Sequence, residues 1–195
     1  MPTLYVVAGP NGCGKSTLVR TTWFYNFEKI DPDDIARIMK TGNVLQAGRE
    51  ALLRRRSALE LERTHLVETT LSGAGVLRHV QAAREKDYKI VLHYISLDSP
   101  EEALDRIRNR VRCGGHNVPK VDVKRRFVRS HSNLPTMIAL SDEGYLYDNS
   151  KPDDPHRTVA NFRQGSWRIN RNIPDWVVQG INRFALLRAT HGQLS

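Results

Sequence analysis

The chain has 195 residues, of which 39% are hydrophobic, and carries a formal charge of +9. It contains no run of 18 apolar residues, which excludes a transmembrane helix, and its two cysteines cannot build a disulfide framework. The positive excess calls for an anionic partner: a polyphosphate ligand, a nucleic acid or an acidic protein. The first strand begins almost at the N-terminus, which is read as leaving no room for a signal peptide. A cytoplasmic protein that does not engage a membrane is therefore expected.

Leu4 to Ala8 is an apolar run suited to a buried strand. It leads directly into Gly9-Pro10-Asn11-Gly12-Cys13-Gly14-Lys15-Ser16, which fits Gly-x-x-x-x-Gly-Lys-Ser, the phosphate-binding loop. Thr17-Leu18-Val19-Arg20 then opens a helix. Strand, glycine loop and helix together put several backbone N–H groups around one anionic pocket lined by Gly9, Pro10, Asn11, Gly12, Cys13, Gly14, Lys15, Ser16 and Thr17. Lys15 is expected to reach the terminal phosphates of a nucleotide, and the Ser16 hydroxyl to hold Mg²⁺. A helix N-terminus can lower a thiol pKa, and Cys13 is close to one. The simpler reading of Cys13 is a small residue that fits the loop.

Further along, Glu28-Lys29-Ile30-Asp31 is a short second strand. One or two helices cover Pro32 to Arg63, interrupted near Thr41-Gly42-Asn43. His65 to Thr69 is a third strand, followed by a helix from about Gly75 to Lys86. Tyr88 to Leu97 is apolar and β-branched, as a buried parallel strand should be. Ser99 can cap the next helix with Pro100 at its first position. A helix is expected over Val121 to Leu140, with Pro135 as the place for a break. Tyr145 to Asn149 makes a fifth strand. After Ser150 the composition changes. Lys151-Pro152-Asp153-Asp154-Pro155 is turn-rich, and Thr158–Arg163 with Ser166–Ile169 form a hairpin across Gln164-Gly165. Pro174-Asp175-Trp176 starts a last short helix.

Alternating strands and helices predict an α/β fold of three layers, the P-loop NTPase type, around a mostly parallel five-stranded sheet with right-handed crossovers. Residues 1–150 form that domain, and residues 151–195 form a small C-terminal extension packed on it.

In such a sheet, ligands sit outside the carboxyl ends of the strands. Asp31-Pro32-Asp33-Asp34 ends the second strand on that edge. A carboxylate there can take a proton from an acceptor hydroxyl or hold Mg²⁺, but the same residues also suit an ordinary helix start. Glu68 closes the third strand, where it can sit behind Mg²⁺ or bind an acceptor hydroxyl, and Thr70 and Ser72 can hydrogen-bond an acceptor. No long apolar run ends in Asp. Holding the metal therefore falls to Ser16 with Asp31, Asp33 or Glu68, or with water. Arg106, Arg108, Arg110 and Arg112 precede Gly114-Gly115-His116, an arrangement suited to a lid over a transferring phosphoryl group. An alternative use of the charge is binding of nucleic acid by a nucleotide-switched module, or a nucleic-acid kinase.

The ordered set of the glycine loop, Ile30-Asp31-Pro32-Asp33, Glu68-Thr69-Thr70-Leu71-Ser72-Gly73 and the arginine helix with its Gly114-Gly115 loop resembles the zeta-toxin family of P-loop kinases. It is closest to the short-chain branch often labelled predicted ABC-type ATPase, and the likeness spans residues 4 to about 150. The resemblance implies an ATP- or GTP-dependent kinase, with a UDP-activated amino sugar as acceptor in studied members. It implies Asp33 as general base, Glu68 and Thr70 as acceptor ligands, and Arg110 as the lid arginine. A second family arginine has no clean counterpart, with His116 or Arg125 in its region, and the element around Ser72 differs. An antitoxin partner is implied by analogy.

Overall fold

Along β1 (Thr3–Ala8), Leu4, Val6 and Ala8 point to one side and Val7 to the other, and all four are fully buried. A strand covered on both sides belongs in the middle of a sheet. In the computed structural model, which describes residues 1–22, 24, 27–40, 43–115 and 117–191, β1 lies between β3 (His65–Thr69) and β4 (Lys89–Ser96) and is parallel to both. β2 (Glu28–Ile30) pairs outside β3, and β5 (Glu143–Asp148) pairs outside β4, again in parallel. The order is β2-β3-β1-β4-β5-β6-β7.

The sheet has seven strands, not five. β6 (Arg157–Arg163) and β7 (Ser166–Ile169) are the expected hairpin, but they add to β5 as two antiparallel strands. Gln164 and Gly165 at the turn both have positive φ, 50° and 80°, which matches the twist of a tight hairpin. The hairpin joins the sheet because Val159, Ala160 and Phe162 need a buried face, and the outer edge of β5 needs hydrogen-bond partners.

Two layers of helix cover the sheet. α1 (Lys15–Thr21) and α5 (Pro100–Arg112) pack on the face bearing Val7, Leu66 and Ile95. α4 (Ala74–Arg84), the C-terminal half of α6 (Lys120–Ala139) and the start of α7 (Asp175–His191) pack on the face of Val6, Leu92 and Leu146. α2 (Pro32–Ile38) and α3 (Val44–Glu60) close the β2 end around Ile30 and Ile35. Asn43 caps α3, its Oδ1 accepting from the N–H of Leu45 and Gln46, while Thr41 and Gly42 lie outside the described residues. Ser99 caps α5 as expected, its Oγ accepting from the Glu102 N–H at 3.2 Å.

Two helices differ from expectation. α6 runs through Pro135 unbroken, because buried Leu134, Met137 and Ile138 anchor the turns around it and outweigh one lost backbone hydrogen bond. α7 is not short: it has 17 residues. Gly180 lets it approach α6, since a Cβ there would lie 3.1 Å from Leu134 Cδ2, and Trp176 stacks on His131 at 5.8 Å. No helix among the described residues is long and apolar enough to cross a membrane. This topology gathers the carboxyl ends of β1 to β5 on one edge.

Candidate active site

The glycine loop leaves β1 at that edge and is shaped by what lies under it. A Cβ on Gly9, whose φ is 141°, would stand 1.9 Å from the Ile95 carbonyl oxygen; one on Gly12 would stand 2.7 Å from the Ala103 oxygen. The loop therefore rests on β4 and α5 with no room for side chains beneath it. Lys15 lies back across the loop, its Nζ donating to the carbonyls of Gly9 at 2.9 Å and Pro10 at 2.8 Å, and it is only 9% exposed. Ser16 and Thr17 face outward at the edge. Asn11 Oδ1 is buried and makes no hydrogen bond among the described residues. Burial pushes the Cys13 thiol pKa up, outweighing the Lys15 ammonium, so the packing reading of Cys13 stands and thiolate activation does not.

Next to the loop, the Ser16 hydroxyl donates to Glu68 Oε1 at 2.7 Å. Glu68 is opposite Val7 in the parallel pair of β3 with β1, which places it beside the loop that continues β1. Among the carboxylates considered for Ser16, Glu68 is brought to hydrogen-bond distance of it. Its other oxygen is 3.4 Å from Lys29 Nζ, and Lys29 also pairs with Asp31 at 3.4 Å and with Asp34. Partial burial opposes the charge of Lys29, but Asp34, Glu68 and Asp31 together raise its pKa. Lys29 escaped the sequence reading because its contact with Glu68 depends on β2 pairing beside β3, and its contact with Asp34 on the helix start beyond Pro32. The set of Ser16, Glu68 and Asp31 offers only oxygen donors, which suits a hard divalent cation such as Mg²⁺.

A second group of residues missed by the sequence reading holds the loop from the other side. Asn149, just past β5, donates through Nδ2 to the Cys13 carbonyl at 2.8 Å and accepts through Oδ1 from the His156 N–H at 3.0 Å. His156 Nε2 lies 3.1 Å from the Gly14 carbonyl, and Arg106 donates to the Asn149 carbonyl. Asn149→Ala removes one buried and one part-buried hydrogen bond and is expected to cost about 1–3 kcal/mol of stability. It is also expected to weaken nucleotide binding roughly tenfold, equivalent to about 1.4 kcal/mol. A thermal melt and a titration with a fluorescent nucleotide would check both; an unchanged affinity would mean that the loop keeps its shape without this brace.

Thr70 and Ser72 are brought together, their hydroxyl oxygens 2.8 Å apart in the loop after β3. Between them, buried Leu71 adopts a positive φ of 54°, and its carbonyl accepts from Asn133 Nδ2. Asp33 lies in the first turn of α2 on the same edge. The arginine helix is only partly available. Arg106 is taken up by Asn149 and Arg108 by Asp105. Arg110 is exposed in the last turn of α5, beneath Gly115, whose N–H donates to the Arg110 carbonyl. Arg125 pairs with Asp122 within its own helix, and His116 lies outside the described residues.

No protein-family model matches the chain. An uncharacterized protein of Haemophilus influenzae is 33% identical over 123 residues, covering 61% of this chain and 88% of that one. Among solved structures, a chain of the AvrRxo1-ORF1:AvrRxo1-ORF2 complex with ATP superposes with a TM-score of 0.68 at 18% identity. The match takes in 94% of this chain and 64% of that one, so this chain spans just under two thirds of that relative's length. A chain of the PezAT chromosomal toxin-antitoxin system of Streptococcus pneumoniae superposes at 0.59 with 16% identity, covering 96% of this chain and 87% of the other. These likenesses show the fold, the three-layer α/β arrangement of P-loop NTPases.

Proposed function

We propose that this chain, which belongs to the family of the Haemophilus influenzae protein and has the P-loop kinase fold, is a phosphotransferase that moves the γ-phosphate of ATP or GTP to an acceptor hydroxyl. One observation carries the reading: the serine of a glycine loop, next to the loop's lysine, meets a strand-end carboxylate, with Ser16 bonded to Glu68 at 2.7 Å. Residues 9–17 wrap the phosphates, and Lys15 turns from the Gly9 and Pro10 carbonyls to the phosphate charge. Ser16 would hold Mg²⁺ through its oxygen while its O–H still donates to the Glu68 carboxylate; when bound, the ion would neutralise phosphate charge.

On the acceptor side, Asp33 acts as general base, Thr70 and Ser72 orient the acceptor, and Arg110 steadies the transferring group from the lid. Residues 1–150 carry this chemistry, and residues 151–195 brace it through His156 and the hairpin. The acceptor that the sequence resemblance favours is a UDP-activated amino sugar. The toxin-antitoxin system named for the Streptococcus structure supports an antitoxin as protein partner.

The test is to incubate the protein with labelled ATP, Mg²⁺ and UDP-N-acetylglucosamine, beside an Asp33→Asn control. Label should appear on the sugar nucleotide with the unmutated protein alone, while both proteins bind ATP. Bound ATP without labelled product would remove this acceptor. Full transfer by the variant would remove Asp33 as base.

A further inference from the structure

The sheet face that α1 and α5 cover at its carboxyl half, over Val7 and Ile95, changes character toward its amino half. Strand alternation brings Tyr5 of β1, His93 of β4, and Tyr145 and Tyr147 of β5 to that side, with Tyr5 opposite Val91 and His93 opposite Tyr145. Three of these rings share one orientation. His93 lies 5.0 Å from Tyr145 with 14° between the planes and 5.9 Å from Tyr147 with 10°, and the two tyrosines are 6.4 Å apart at 20°. A 2.9 Å hydrogen bond between His93 Nδ1 and the Tyr147 hydroxyl holds the imidazole in this tier. Phe24 and Phe27 border the group, 4.8 Å from His93 and 4.9 Å from Tyr5.

The rings line a cavity of about 300 Å³, bounded among the described residues by β1, β4 and β5 and by no helix. Parallel strands are ordinarily sealed by helices on both faces. A cavity this size is at the small end for ligand pockets, roughly 300–1,000 Å³. It takes one small planar group, and a longer ligand has to continue along the sheet. That continuation is basic. Arg163 stands opposite Glu143 on β6, and Arg168 lies beyond on β7, on the same side as Tyr145 through the register of Asn161. Arg168 is exposed and makes no ion pair among the described residues. Glu143 is an acid on this face, but Lys89 at 2.8 Å and Arg163 at 3.8 Å offset its charge, and it also accepts from the Tyr145 hydroxyl at 2.6 Å.

We propose that this face binds a single strand of nucleic acid, one base entering the cavity to extend the ring tier and the backbone phosphates lying over Arg163 and Arg168. A tier of aromatic rings beside a basic strip suits an unpaired strand, because every base offers a flat face and every linkage a negative charge. A duplex keeps its bases stacked on one another and gains only the charge contacts. The net charge of +9 draws such a strand in. The site faces away from the glycine loop, toward the other end of the strands, and stands independently of the phosphotransferase reading.

The experiment titrates the full chain into a fluorescein-labelled ten-nucleotide RNA without self-complementarity and follows anisotropy over a range of salt concentrations. The single strand should bind at least about tenfold more tightly than the duplex made from it, as stacking on free bases predicts. Tyr145→Ala should weaken binding about 5- to 100-fold, the loss of one base stack, while Tyr145→Phe, which keeps the ring, should retain most of the affinity. Arg168→Gln should lower the slope of log affinity against log salt by about 0.7, the value for one phosphate contact on a single strand. Circular dichroism would confirm that each variant is folded, and ATP binding by all of them should match the unmutated protein.

Equal affinity for strand and duplex would overturn the assignment, since charge alone would then explain binding. So would full affinity in folded Tyr145→Ala, or an unchanged salt slope in Arg168→Gln, because the strand would then lie elsewhere. Adenosine or uridine monophosphate binding as tightly as the ten-nucleotide strand would make the cavity a site for a free nucleotide and overturn the proposal as well. Failure of ATP binding in the unmutated protein would sink the phosphotransferase reading and leave these titrations to decide the sheet face.

Discussion

Lys15→Ala should leave a folded protein that binds ATP weakly and transfers phosphate about 10²–10³-fold more slowly, or not measurably. The expectation follows from where the ammonium lies. In the nucleotide-free loop, Lys15 is bonded to the Gly9 and Pro10 carbonyls and is almost fully enclosed. The same short reach takes it to the β- and γ-phosphates, where charge must be compensated as the phosphoryl group moves. Neighbouring cations are engaged elsewhere: Lys29 with three carboxylates and Arg106 with the Asn149 carbonyl. Truncation also leaves two loop carbonyls short of a partner, which should cost about 1–3 kcal/mol of stability. Circular dichroism would confirm the fold, and labelled ATP would measure turnover. Transfer at the unmutated rate would remove the glycine loop from the mechanism.

The second large effect is on stability against acid. Burial lowers the pKa of His93 to about 4, partly opposed by Glu143, and lowers His131 to about 4. Burial, with His65 and Arg55 nearby, takes His79 to about 3. An unfolded chain binds protons on these imidazoles below about pH 6.5, whereas the folded chain does not until about 3 to 4. The sign follows directly. Their contribution is complete above about pH 6.5 and is lost progressively as the pH falls toward the folded values. Each site removes about 1.4 kcal/mol per pH unit within that window. Three together can exhaust the stability of a typical domain, about 5–15 kcal/mol, by roughly pH 4 to 5. Urea melts between pH 7 and 5 would show it. A flat midpoint across that range would mean that the imidazoles charge freely in the fold, and His93→Phe should blunt the slope by about one proton.

How legible this molecule is in its sequence depends on the distance between partners. The glycine loop is readable because its chemistry is written in eight consecutive residues, and β1 and β4 because their burial shows as unbroken apolar runs. Glu68 is readable as a charge ending a strand, but its bond to Ser16 depends on β3 pairing beside β1. Asn149 and His156 act on carbonyls 136 and 142 residues away, and nothing near them in the chain marks that role. The seventh helix and the sixth and seventh strands were seen as local pieces; their packing on α6 and β5 is a long-range result. The acceptor's identity is absent because hydroxyl and carboxylate side chains at strand ends serve many substrates.

The central position of β1 has a consequence for how the protein is made. Of the strands described, β1 is made before the others yet needs partners on both sides, and the second partner, β4, ends only at Ser96. The loop that follows β1 then waits longer still, for Asn149 and His156 to secure its carbonyls. At about 5–20 residues per second, synthesis holds the loop without its brace for several seconds. Completion of the loop is therefore a late event in the life of each chain, and translation that stops before about residue 156 yields a product without a finished loop.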